Sequence, residues 1–343
     1  MLTTASNQDG VLPATREDAQ VMRAIVQHRY GPPEVLRLEG VAKPAPGPGE
    51  VLVRVRAASI FAGDWRVVRG SPLPLRAATG LRRPRNPIPG MDLAGEVAAV
   101  GQDVTDLRVG DAVFGWTSGS LAEYASVPAA QLVARPAGLS FEEAAAISET
   151  GQTALQGLRD AGRVGAGRRV LVIGASGGVG TFAVQVARAL GASHVTGVCS
   201  TRNVDLVRSI GADEVIDYTR HELTERADRW DVILQLAGTT SPNRLRRLLS
   251  PGGALVLSDG MGRFSGIDRI LAATVLNPFV RERLVVFLTR ENRSDLLVLR
   301  DLIESGAVRP VIDRCYPLSE TVEAFRYLEA GHTQGRVVIT IGG

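Results

Sequence analysis

From residue 22 to about 139 the apolar positions fall in short alternating runs broken by glycine and proline. Val51, Val53, Val55 and Ala57 alternate with Leu52, Arg54 and Arg56, a period of two that predicts a strand with one partly polar face. The turn-rich run 43–50 precedes it. Further strands are expected at 96–100, 111–114 and 123–127, with a short helix at 64–69.

From about 141 the rhythm changes. Apolar runs at 170–173, 195–198, 214–216, 231–234 and 254–257 are separated by segments of helical length. Apolar strands spaced in this way predict βαβ units and a parallel sheet covered on both faces. After about 311 a strand, a helix at 319–329 and a strand at 336–341 close the chain. The fold class expected is α/β, a doubly wound parallel sheet domain beside a mainly β domain. A length of 343 residues agrees with two domains.

Composition narrows this picture only at a few points. Charged residues at 22% and apolar ones at 45% describe an ordinary globular chain. The longest apolar stretch, 270–280, contains Asn277 and Pro278, so no membrane span is expected. Residues 1–21 carry Asp9, Arg16, Glu17 and Asp18 and read as a flexible extension, not a signal peptide. Cys199 and Cys315 are too few for a disulfide framework, which fits a cytoplasmic protein. A net charge of +3 gives no reason to expect nucleic acid. Lys43 is the sole lysine, so nearly all positive charge is arginine, whose planar fork suits phosphate.

The most specific chemical signal is the run 169–180. An apolar strand enters Gly174, Ala175, Ser176, Gly177, Gly178, Val179 and Gly180, and a helix follows whose Val179, Phe182, Ala183, Val186, Ala187 and Leu190 share one face. Ala175, Gly177 and Gly180 hold the three positions of the dinucleotide fingerprint, where backbone approaches a pyrophosphate at a helix N-terminus. About twenty residues on, an NAD-binding site would offer a carboxylate. Here Ser200, Thr201, Arg202 and Asn203 follow the second strand, with no acid before Asp205. Hydroxyls and a guanidinium suit a 2′-phosphate, so NADPH is the expected cofactor.

With these residues in view, the chain resembles the medium-chain dehydrogenase/reductase superfamily, in its zinc-independent quinone oxidoreductase branch. The runs 90–97, 110–115, 153–158, 174–180, 209–218 and 331–338 carry the resemblance. It implies a GroES-like catalytic domain formed from both chain ends, 22–145 and 311–343, around a Rossmann domain at 146–310. Tyr218 would lie near the adenosine phosphate and Thr153, Gly238 and Gly260 near the nicotinamide half, with Ala237 and Arg336 as further cofactor-binding candidates. It also implies a homodimer, with 283–289 as the pairing edge strand.

Relatives with catalytic zinc carry a cysteine near Ser59 and His-Glu where Met91 and Asp92 stand, so no metal is expected. His28, His194, His221 and His332 show no ligand-like spacing, and both cysteines read as structural. Without metal, the charge left on an acceptor by hydride transfer needs hydrogen bonds or a proton donor. Asp64 and Glu149 are the candidate catalytic carboxyls. Phe61, where relatives have Asn, would line the substrate pocket with Trp65, Met91 and Gln152. Ser148 to Gln152 and Gln235 also depart from the family pattern, and Ser148 suits a helix N-cap. The run 76–85 is the densest basic patch, and 267–288 suggests a lid.

The function these features imply is reduction of a quinone, enone or related activated double bond by NADPH, with a pocket suited to a large aromatic or polycyclic acceptor. Two alternatives stand beside it. One is an NADPH-binding regulatory protein; the other is a pathway enzyme directing a non-redox step such as cyclisation.

Overall fold

The computed structural model describes residues 20–258, 277 and 280–342. The glycine expected at the nicotinamide, Gly260, and most of the lid segment 267–288 lie outside the described residues, as does nearly all of the extension 1–21.

The first half forms β1 (Val21–Gln27), β2 (Leu36–Ala42), β3 (Glu50–Ile60), α1 (Ala62–Arg69), α2 (Leu75–Thr79), β4 (Asp92–Val100), β5 (Ala112–Trp116), β6 (Tyr124–Pro128) and β7 (Leu132–Ala134). Helices α3 (Phe141–Ala145) and α4 (Ser148–Gln156) lead into β8 (Arg169–Ile173), α5 (Gly178–Ala189), β9 (His194–Cys199), α6 (Val204–Ser209), β10 (Glu214–Asp217), β11 (Trp230–Gln235), α7 (Pro242–Leu245), β12 (Leu249–Ser258) and β13 (Arg283–Phe287). Helix α8 (Arg293–Glu304), β14 (Ile312–Pro317), α9 (Thr321–Glu329) and β15 (Arg336–Thr340) complete the chain.

Strands β8 to β13 make one parallel sheet in the order β10-β9-β8-β11-β12-β13. Counted from β8, that is the 3-2-1-4-5-6 order of a Rossmann sheet. Both faces are buried because successive residues of one strand serve different cores. Val170 and Val172 pack with α4, α5 and α8, while Leu171 and Ile173 pack on the opposite face with Trp230 and Leu245. The order reverses between β8 and β11, where Gly174 meets Ala237.

The second sheet runs β14-β15-β3-β4-β5-β7, with β6 also on β3, so strands from both chain ends share it. This is the mainly β, GroES-like part of the fold. Strand β3 is central and buried on both faces over most of its length; even Leu52, expected on a polar face, is in the core. Among the described residues no helix is long and apolar enough to cross a membrane.

The turn after β8 depends on close packing. A Cβ on Gly180 would lie 2.1 Å from the carbonyl oxygen of Gly174, so helix α5 sits on the strand end only because position 180 has no side chain. Gly180→Ala should lower stability by about 1 to 3 kcal/mol through overpacking. Thermal melting checks this, and an unchanged midpoint would show that the turn relaxes freely.

Candidate active site

Three strand ends converge between the two sheets. Ser59 near the end of β3 pairs in register with Asp92 at the start of β4, and β15 begins at Arg336 beside β3. Arg336 and Asp92 are 1% and 0% exposed. Arg336 Nη2 donates to Asp92 Oδ2 at 2.6 Å and also to Ser59 Oγ. Ser59 Oγ lies 2.8 Å from the carbonyl oxygen of Ala145, and the Glu149 amide donates to Asp92 Oδ1 at 3.3 Å. Ser59 and Asp92 thus present a hydroxyl and a carboxylate joined to one guanidinium.

A further set of acids surrounds this pair. The Phe61 amide donates to Asp64 Oδ2 at 3.0 Å, which fixes the start of α1. The Phe61 ring lies over the Arg336 guanidinium, 5.0 Å from its centroid. One face of that ring is therefore already taken. Burial raises the pKa of Asp64 well above the usual carboxylate range, and repulsion from Asp92 adds to the effect. Burial raises Asp92 to about 6, opposed by Arg336. Glu291 is pushed up to about 8 by burial and by repulsion from Asp92 and Glu149. Sequence reasoning missed Glu291, because nothing local marks it.

Helix α4 presents Thr153 from the parallel-sheet side. Its hydroxyl donates to Glu149 Oε1 at 3.1 Å and lies 2.6 Å from Thr289 Oγ1. Gln152 is fully buried; its Oε1 accepts from the Asn292 amide at 2.8 Å, and Gln156 accepts from the Arg290 amide at 3.0 Å. The glutamines thus clamp residues 289–292, and with them Glu291, along α4. Ser148 is not the cap expected of it. Ile147 flanks the helix, Ser148 is its first residue, and the Ser148 hydroxyl is buried without a partner among the described residues.

Two other pocket candidates also have structural partners. Trp65 packs against the core of the β-rich sheet, with Arg69 over its ring at 5.2 Å. It is not brought into the Arg336 group. Gln235 Nε2 bonds the carbonyls of Ala237 and Thr240, holding the turn that contains Gly238. Met91 precedes Asp92 and its carbonyl accepts from the Thr117 amide.

The glycine run lies next to this group, since Gly177 bridges Gly335 and the Gly335 amide donates to Ser176. A Cβ on Gly178 would sit 2.9 Å from Arg336 Cδ, whereas one on Gly177 would have no atom nearer than 3.6 Å. Arg336 Nε and Nη1 are buried without partners among the described residues. Two unpaired guanidinium nitrogens, on a side chain whose Cδ faces Gly178 at the start of α5, fit a dinucleotide pyrophosphate.

At the adenosine end, Ser200 precedes the turn 201–203 without capping it through its side chain. Exposed Arg202 donates to the His332 carbonyl at 2.8 Å. Asn203 Nδ2 donates to Ser176 Oγ at 2.8 Å, and Tyr218 is 61% exposed. Asp217, a carboxylate the sequence reading passed over, accepts from Thr201 Oγ1 at 2.6 Å and from Thr219. Its charge is met by the two hydroxyls, the Thr219 amide and Arg220. Among the described residues no group of three or more His, Cys, Asp or Glu is disposed to hold a metal ion.

The raised carboxyl pKa values set a pH dependence. Both folded values exceed the unfolded ones, so the stabilisation is full below about pH 4 and is lost as pH rises through about 6 for Asp92 and about 8 for Glu291. Glu291→Gln should flatten the upper part of that decline. Unfolding midpoints of wild type and variant between about pH 5 and pH 9 check this; identical curves would contradict the burial argument.

The comparisons with known proteins agree with this geometry. Residues 47–137 match the alcohol dehydrogenase GroES-like domain, and residues 210–339 match the zinc-binding dehydrogenase family. A 2-methylene-furan-3-one reductase of Solanum lycopersicum is 35% identical, over 93% of this chain and 79% of its own length. An NADPH-dependent alkenal/one oxidoreductase of Arabidopsis thaliana is 33% identical over the same shares. The solved quinone oxidoreductase of Coxiella burnetii superposes with a TM-score of 0.84 at 29% identity, covering 94% of this chain and 100% of its own. Built on a Rossmann sheet and a GroES-like sheet, the chain belongs to the medium-chain dehydrogenase/reductase superfamily, in its zinc-independent quinone oxidoreductase branch.

Proposed function

We propose that the chain is an NADPH-dependent reductase of quinones, enones or related activated double bonds. The observation that carries this reading is Arg336: one edge of its guanidinium is fixed by Asp92 and Ser59, and Nε and Nη1 are left unpaired beside the glycine run. The names of the tomato and Arabidopsis relatives, a furanone reductase and an NADPH-dependent alkenal/one oxidoreductase, support the same class of reaction.

In this reading NADPH supplies the hydride. The amides of Gly178, Val179 and Gly180, with Arg336, hold its pyrophosphate, and Gly174, Ala175, Ser176 and Gly177 let backbone approach it. Ser200, Arg202 and Tyr218 receive the 2′-phosphate, with Asn203 fixing the loop. Thr153, Ala237 and Gly238 bound the nicotinamide half.

The acceptor, a small molecule, enters beside Phe61 and Met91, whose apolar surfaces exclude water. Glu149 moves the proton that completes reduction, through the Thr153 hydroxyl it already accepts from. Asp64 acts at one remove, as the residue that positions Phe61. Gln152 likewise positions the 289–292 segment. The working domain division is 22–145 with 311–343, and 146–310. Cytoplasmic residence and a homodimer formed through the outer strand β13 belong to the same proposal.

One kinetic series tests this. NADPH should be oxidised steadily with a small enone or quinone, and bind at least about tenfold tighter than NADH. Arg202→Ala should remove most of that preference, a charge-assisted bond being worth about 1.5 to 3 kcal/mol. Glu149→Gln should lower kcat by about a hundredfold with little change in KM. Equal use of NADH and NADPH would contradict the cofactor assignment, and an unchanged kcat in Glu149→Gln would remove Glu149 from proton transfer.

A further inference from the structure

The segment between Asp64 and Asp92 leaves the candidate site along α1 and returns to it at β4. It contains Arg66, Arg69, Arg76, Arg82, Arg83 and Arg85 and no acidic residue, in a chain whose net charge is only +3. The local potential is strongly positive. Arg69 pairs with Glu329, and Arg76 stacks on Tyr30 and donates to the Gly70 carbonyl. The side chains of Arg82, Arg83 and Arg85 are exposed and make no hydrogen bond, ion pair or ring contact among the described residues.

Two leucines stand beside them. Leu73 and Leu81, at the two ends of α2, are 71% and 74% exposed. The loop that carries Leu81 is held in place. Gly80 has φ +122°, where a Cβ would meet the Arg83 carbonyl oxygen at 2.1 Å. The Arg85 amide donates to the Thr79 carbonyl at 2.8 Å, the Tyr30 hydroxyl to that of Gly80 at 2.7 Å, and Pro84 is buried. A loop pinned on both sides of Leu81 keeps that side chain in water, an arrangement that costs stability unless something else covers it.

We propose that this segment docks on an anionic lipid surface, with Leu73 and Leu81 entering the apolar layer and Arg82, Arg83 and Arg85 meeting lipid phosphates. Charge complementarity together with bare aliphatic tips favours this partner. Residues 66–91 contain no aromatic side chain, and the neighbouring Tyr30 and Trp65 rings already carry Arg76 and Arg69, so nothing favours the stacking that holds single-stranded nucleic acid. An acidic protein would satisfy the arginines but gives no reason for isolated leucines at both ends of α2. Docking of this kind is peripheral. The proposal does not depend on the identity of the reaction.

Sedimentation of the full chain with phosphatidylcholine vesicles, with and without phosphatidylglycerol, tests it. Wild type should bind only the anionic vesicles and be released by salt. Replacing Arg82, Arg83 and Arg85 together with Gln should weaken binding by about a hundredfold, from about fivefold per arginine. Leu73→Ser with Leu81→Ser should also weaken it, and both variants should melt as wild type does. No binding to the anionic vesicles, equal binding to both kinds, or undiminished binding by the arginine variant would overturn the proposal. Arginine-dependent capture of RNA or an acidic polypeptide without vesicle binding would overturn it too.

Discussion

The buried ion pair between Arg336 and Asp92 is the constraint on which the rest of the site depends. Desolvating a guanidinium and a carboxylate is expensive, and the pair persists only where hydrogen bonds satisfy what remains. Here Ser59 and the Glu149 amide do part of that work. The partners sit 244 residues apart in sequence, so their bond ties the returning end of the chain to the strands laid down first. It also fixes the start of β15 beside the glycine run, through Gly335 and Ser176. The Phe61 ring rests on the same guanidinium, and Asp64 holds the Phe61 backbone. Removing Arg336 would therefore loosen a β-rich sheet, the glycine turn and the start of α1 together.

Crowding of acids follows from the same geometry. Asp64, Asp92, Glu149 and Glu291 lie close enough for their charges to be felt, and Arg336 offsets the charge of Asp64 and Asp92. Burial and mutual repulsion favour protonated carboxyls, which makes this a place where a proton can be held near neutral pH. The hydroxyls of Thr153 and Thr289 extend the hydrogen bonding from Glu149 towards the 289–292 segment.

Much of the fold was legible because its signals are local. Alternation marks β3, apolar runs mark β8, β9 and β11, and the glycine run declares a strand, a turn and a helix within a dozen residues. The resemblance to the family then placed both chain ends in one sheet. The site was harder to read, since it is assembled from strand ends that only the tertiary fold brings together. Glu291 acquires its role because Gln152 and Gln156 clamp its neighbours along α4. Ser148 looked like a cap because Ser, Glu and Thr in succession suit a helix start, but the chain is already helical at Ile147, so the hydroxyl falls inside the first turn. Asp217 escaped notice because it reaches Thr201 across the sheet, from the end of β10.

The central claim is that Arg336 and Asp92 act as one unit, and a double-mutant cycle on Arg336→Met and Asp92→Asn measures this directly by denaturant unfolding. Each single variant strands a buried group, so each should cost about 3 to 5 kcal/mol, and the double variant should lose clearly less than their sum. Additive losses, with no coupling between the two positions, would contradict the account.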